Sequence, residues 1–97
     1  MISLEDCIAL SGLTEEEILA IAEHEHVPEQ VACSIANYLA NADHGLDRVR
    51  DMIVDDIRHA RATGHVEHVR ELLHVLHHFL KANPAARPPG HPWSARF

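Results

Sequence analysis

Apolar residues recur at spacings of three and four along most of the chain, which is the pattern of amphipathic α-helices. The pattern is strongest over residues 46–63 and 65–81. The apolar face of the first stretch comprises Leu46, Val49, Met52, Ile53, Ile57 and Ala60. The apolar face of the second comprises Val66, Val69, Leu72, Leu73, Leu76, Phe79 and Leu80. Because only Thr63-Gly64 separates the two stretches, we expect an antiparallel helical hairpin.

Three shorter helices are predicted ahead of this hairpin. Capping signals open two of them at Ser3 and Thr14, and Pro28 suits the first turn of the third. The residues expected to cover the hairpin are Leu4, Ile8, Ile18, Ile21, Ala22, Val31, Ile35, Tyr38 and Leu39. No strand alternation is present. The sequence therefore predicts an all-α fold of five short helices: a single helical domain over residues 1–81 and a non-helical, Pro-rich tail over 82–97.

Charge narrows the choice of partners. The chain of 97 residues carries a formal charge of −7, with 8 basic and 15 acidic side chains. Binding to phosphate groups requires clustered Lys and Arg, so nucleic acid and anionic membranes are not expected partners. The 10 histidines add a second property, because protonating all of them would change the charge to −7 + 10 = +3.

The chain has two cysteines, Cys7 and Cys33, and its N-terminus lacks a basic segment followed by an apolar run. We therefore expect reduced thiols and a cytoplasmic protein. Neither cysteine is placed beside a base by the sequence. No phosphate-binding loop or nucleophile elbow is present, so no catalytic residue is predicted and an enzyme is not favoured.

The strongest chemical signal is a set of histidines and carboxylates at metal-ligand spacing. Asp56 and His59 form D-x-x-H within one helix, and His65 and His68 form H-x-x-H within the next. Side chains at i and i+3 share a helix face, and the hairpin should bring His59 opposite His68. The preceding helix could complete the site with Glu25 or His26. Imidazole and carboxylate ligands suit zinc, iron or manganese.

Two other interpretations stay open for these polar residues. An inward Asp–His pair can be a buried hydrogen bond that fixes helix register. A second stripe on the last helix can be a solvated face or a site completed by a second subunit; it comprises Glu67, Glu71, His74 and His78. His24, His44, His77 and His91 are expected at the surface.

The leading functional hypothesis is therefore a transition-metal-binding helical protein. The alternative is a protein-interaction or regulatory module. Residues 8–14 resemble the turn of a helix-turn-helix, but the next helix begins with Glu15, Glu16 and Glu17, which would repel DNA. Because residues 82–97 are predicted to form a tail, the remaining core is small. We therefore expect a homodimer, in which Trp93 or Phe97 could make contacts across the two-fold axis.

The segment Ile21-Ala22-Glu23-His24-Glu25-His26-Val27-Pro28-Glu29 resembles small all-helical bacterial proteins of uncharacterised function. That resemblance covers roughly residues 1–40 and implies a helical fold without implying an activity. Glu23 and His26 also form the E-x-x-H spacing that ferritin-like di-iron proteins use. The chain departs from those proteins because its helices are shorter, so that a full set of four would require a dimer.

Overall fold

The computed structural model describes residues 3–87, and it confirms the all-α fold. The helices are α1 (Leu4–Ser11), α2 (Glu15–Glu25), α3 (Glu29–Asn41), α4 (Gly45–Ala62) and α5 (Val66–Ala82), followed by a 3-10 turn at Pro84–Ala86. None of the helices within residues 3–87 combines the length and apolar character that a membrane crossing demands.

The predicted capping signals set the ends of the first two helices. The hydroxyl of Ser3 accepts a hydrogen bond from the backbone N–H of Asp6 at 3.1 Å. Thr14 and Glu17 form a complete capping box, in which each side chain accepts from the backbone N–H of the other, at 3.2 and 2.9 Å. Gly12 ends α1 in the left-handed region at φ 74°, where a residue without a Cβ is favoured.

The α4–α5 hairpin is the centre of the fold, as predicted. Helices α2 and α3 pack on α4, whereas α1 packs mainly on α3 and reaches the hairpin through it. The core is aliphatic apart from one aromatic ring, and its largest members are Phe79, Ile18, Ile21, Leu39, Ile53, Leu76 and Leu80. Burial of these side chains from four helices is the main source of stability.

Four residues assigned to apolar faces by the sequence are instead exposed. Val31 and Tyr38 of α3 are 46% and 68% exposed, and Val66 and Leu73 of α5 are 61% and 39% exposed. The neighbouring helices cover a narrower arc of α3 and α5 than periodicity assigns to their apolar faces. Part of the apolar surface of α5 therefore faces outward.

The chain turns back onto the hairpin after α5. The guanidinium of Arg50 donates to the carbonyl of Ala86 at 2.8 Å, and Arg87 donates to the carbonyl of Leu80 at 3.0 Å. Ala86 is fully buried. The predicted tail thus begins with a 3-10 turn held against α4, while the suggested contacts of Trp93 and Phe97 lie outside the described residues.

The prediction of two reduced thiols is wrong for this structure, because Cys7 and Cys33 form a disulfide. Their Cα atoms lie 5.9 Å apart, and both residues are buried between α1 and α3. The sequence argument rested on compartment and not on geometry. Cys33 lies on the side of α3 that faces α1, where it is buried.

Gly45 lets the start of α4 approach the backbone of α3 closely. It is the buried first residue of α4, and a Cβ at this position would overlap the carbonyl oxygen and carbon of Leu39 in α3. We expect Gly45→Ala to lower the free energy of unfolding by about 2–3 kcal/mol, because backbone atoms must move apart. Urea denaturation followed by circular dichroism measures the loss.

Gly64→Ala is the matched control. Gly64 has φ 77°, and its added Cβ would meet open space, so that only the left-handed backbone penalty of about 1 kcal/mol applies. A loss at Gly45 no larger than the loss at Gly64 would show that α3 and α4 adjust freely at this contact.

Candidate functional site

The residues predicted to bind a metal do not meet at one point. Asp56 is buried in α4, with 8% of its surface exposed. His59 is exposed near the end of α4, and His65 precedes α5, where it shares a hydrogen bond of 2.7 Å with the hydroxyl of Thr63. Glu25 and His26 are exposed at the end of α2.

The metal-binding prediction is therefore wrong. Across residues 3–87, no group of three or more His, Cys, Asp or Glu side chains is arranged to hold a metal ion. The alternative interpretation, a buried Asp–His hydrogen bond, leaves one oxygen of Asp56 unexplained, since its Oδ2 is buried without a partner. His65 and His68 were predicted to lie in the same helix. Helix α5 begins only at Val66, which leaves His65 outside it.

A rotation of the buried face of α2 explains why Glu25 is not inward. The buried residues of this helix are Glu17, Ile18, Ala20 and Ile21, whereas the sequence placed Ala22 among them. The centre of the buried face of α2 therefore differs from its predicted position by somewhat less than about 90° around the helix axis. As a result Glu17 is 2% exposed and His24 is half-buried, whereas Glu25 turns outward.

A groove between α2 and α5 is the most distinctive surface of the described chain. We call it the α2–α5 groove; its volume is about 570 Å³. Its apolar lining consists of Leu19, Ala20, Leu72 and Val75, and its polar rim consists of Glu16, Glu23, His68, Arg70, Glu71 and His74. Leu19 is 45% exposed, so solvent reaches apolar surface here.

Two histidine–glutamate pairs join α2 to α5, one at the rim of the groove and one in the wall of an adjoining concavity. Nε2 of His68 lies 2.6 Å from Oε1 of Glu23, and Nδ1 of His78 lies 3.4 Å from Oε2 of Glu17. Because the earlier residue of α2 meets the later residue of α5, the two helices run antiparallel. Glu17 makes two contacts, because its other oxygen accepts the capping-box hydrogen bond from the backbone N–H of Thr14.

The groove opens into a further concavity at each of its two ends. At the end near His68 it opens into a concavity of about 590 Å³ that His26, His59 and His65 also line. At the end near His78 it joins a smaller one of about 250 Å³, with Thr14 and Glu17 in its wall. Four of the predicted ligands, including His68, thus border one concavity at the end of the groove.

Asp56 lies in α4 within electrostatic reach of the pair formed by Glu23 and His68. Burial raises the pKa of Asp56 from its usual value of 3.8 to about 6, and the negative charge of Glu23 adds to the rise. His24 and His68 act in the opposite direction, and Asp55 adds a smaller rise. Asp56 therefore gains or loses its charge in the mildly acidic range.

Sequence reasoning missed two residues that build this site. Leu19 was not assigned to any face, and Glu17 was treated only as part of a helix cap. An apolar residue on the polar side of an amphipathic helix, as Leu19 is, was the one available signal. No sequence pattern indicates that Glu17 meets His78, because that contact joins residues 61 positions apart.

No protein-family model matches the chain, and neither the curated proteins nor the solved structures searched contain a match. The resemblance to small all-helical bacterial proteins stays a prediction. The functional argument consequently rests on the α2–α5 groove itself.

Proposed function

We propose that this chain is a protein-interaction module whose α2–α5 groove binds an amphipathic helix of another protein. The observation that carries the proposal is the solvent-accessible apolar lining between two antiparallel helices. A third helix laid along such a groove would bury Leu19 together with the apolar stripe of the partner.

Charge complementarity supports a basic helix as the partner. Glu16, Glu23 and Glu71 stand on the rim, and the chain as a whole carries −7. Arg70 is the one arginine there, and it is paired with Glu67 at 3.3 Å. Lys or Arg residues flanking the partner's apolar stripe would meet these carboxylates, which favours encounter and orientation.

A second copy of the chain is the competing occupant, and the predicted homodimer stays a prediction. Two such rims facing each other would oppose glutamate to glutamate at neutral pH, which disfavours self-association through this surface. Sedimentation equilibrium of the full chain separates the two cases, since a dimer abolished by a change at Leu19 would make the second copy the occupant.

The disulfide also bears on where the module works. A buried bond between Cys7 and Cys33 is typical of proteins kept in a non-reducing compartment. We therefore propose such a compartment in place of the predicted cytoplasm. A free-thiol assay on protein taken directly from its native source tests this part of the proposal.

A synthetic basic helix provides the binding test. The probe is a peptide of about 18 residues, or five turns, with leucine on one face and lysine on the others. We expect Leu19→Gln to weaken its binding about tenfold, because the loss of one buried leucine side chain corresponds to about 1.5 kcal/mol. Isothermal titration calorimetry on the full chain measures the affinities.

Val31→Gln is the matched control, because Val31 is 46% exposed and lies in α3, outside the groove, whereas Leu19 is 45% exposed. It should change the affinity by less than about twofold. Equal effects of the two substitutions, or equally tight binding of a scrambled peptide without an apolar face, would contradict the proposal. Amide chemical shifts confined to α2 and α5 would support it.

A further inference from the structure

The α2–α5 groove carries histidines among its glutamates, so its charge depends on pH. Helix α5 contributes His68, His74 and His78, together with Glu71 and Arg70. Helix α2 faces them with Glu16, Glu17, Glu23 and His26. Helix α4 contributes His59 at the open end and the buried Asp56, which lies within electrostatic reach of Glu23, His24, His68 and Asp55.

We propose that mild acidification releases the basic partner helix from this groove, through protonation of His68, His74 and His78. The inference rests on the proposed function and assigns its regulation. Imidazole side chains change charge between about pH 5 and 8, whereas lysine and arginine on the partner keep theirs. The change in attraction therefore arises on this chain alone.

Two effects of protonation act in the same direction. The first is the loss of net negative charge along the groove, where the three protonated histidines and Arg70 equal the four glutamates in number. The second is competition for the carboxylates. His68 already contacts Glu23, and once charged it holds this exposed carboxylate in an ion pair that a lysine of the partner would otherwise form.

The buried carboxylate of Asp56 also favours release of the partner at low pH. Its carboxylate, buried and without a partner at Oδ2, lies close to Glu23. Because burial raises the pKa of Asp56 to about 6, this residue becomes neutral over the same interval. Acidification thus removes one negative charge near the groove while it adds positive charges to the rim.

The test compares binding of the leucine–lysine peptide at pH 7.5 and about pH 5.5 at constant ionic strength. With its N-terminus acetylated, the peptide has no group that titrates in this interval. We expect binding to the native chain to weaken about tenfold or more at the lower pH. In the triple variant His68→Gln, His74→Gln, His78→Gln, the two affinities should agree within about threefold.

The control is His44→Asn, a histidine that is 86% exposed and pairs only locally with Asp47 at 3.2 Å. This variant should keep the full pH dependence. A triple variant as pH-sensitive as the native chain would overturn the proposal, since the effect would then follow from overall charge. Absence of binding at pH 7.5 would instead contradict the proposed function, so that the two failures are distinguishable. Circular dichroism at both pH values confirms that each variant is folded.

Discussion

Removing the Cys7–Cys33 disulfide is expected to lower the free energy of unfolding by about 3–4 kcal/mol. The bond closes a loop across a sequence separation of 26 residues. The loss of chain entropy that such a closure imposes on the unfolded state corresponds to about 3.5 kcal/mol at 25 °C. For a domain of this size that is a large share of the total stability. Urea denaturation with and without a thiol reductant measures it.

The double variant Cys7→Ala, Cys33→Ala provides the control, because reductant should leave its denaturation midpoint unchanged. Hydrogen exchange should locate the effect in α1, the shortest helix at 8 residues, which packs mainly on α3. If reduction lowers the free energy of unfolding of the native chain by less than about 1 kcal/mol, this account is contradicted. Two free thiols in folded protein purified without reductant would also contradict it.

The helices could be predicted from the sequence because local signals agree with the global pattern. Thr14 and Glu17 form the capping box that their spacing indicates, and Thr63-Gly64 makes the turn of the hairpin. These features depend on residues three or four positions apart. Their geometry is fixed by the helix itself and does not depend on how the helices pack.

The candidate site could not be predicted in the same way, because it depends on the rotation of one helix against another. Periodicity identifies an apolar face but leaves its centre uncertain by about one residue, which corresponds to 100°. That uncertainty decided whether Glu25 or Glu17 pointed inward. The pairing of Glu17 with His78 and of Glu23 with His68 follows only once α2 and α5 are placed side by side.

The histidine-rich composition led to the prediction of metal binding, which is wrong. Metal binding requires several donor atoms to converge at about 2 Å from one point, which is a strict geometric condition. The proposed dependence of charge on pH requires only that imidazoles and carboxylates line the same surface. His68, His74 and Glu71 satisfy the second condition within residues 3–87, where no group satisfies the first.

The buried carboxylate of Asp56 should make the protein less stable at neutral pH than at acidic pH. Unfolding returns its pKa from about 6 to the usual 3.8. Stability from the protonated form is therefore fully present below about pH 3.8 and is lost as the pH rises through 6. The difference between the two pKa values corresponds to about 3 kcal/mol above pH 7, an upper value for a group close to compensating histidines.

Asp56→Asn keeps the shape of the side chain and removes the charge, so it isolates this contribution. Measured against the native chain, the variant should gain up to about 3 kcal/mol of stability at pH 7.5 and nearly nothing at pH 4. All other titrating groups are shared and cancel in the difference. Asp55→Asn is the control on the same helix; Asp55 is 59% exposed and bridges His24 at 3.4 Å, so its effect should stay within about 0.5–1 kcal/mol at either pH. If the stability difference between Asp56→Asn and the native chain is the same at pH 7.5 and pH 4, the carboxylate ionises as easily in the fold as in water.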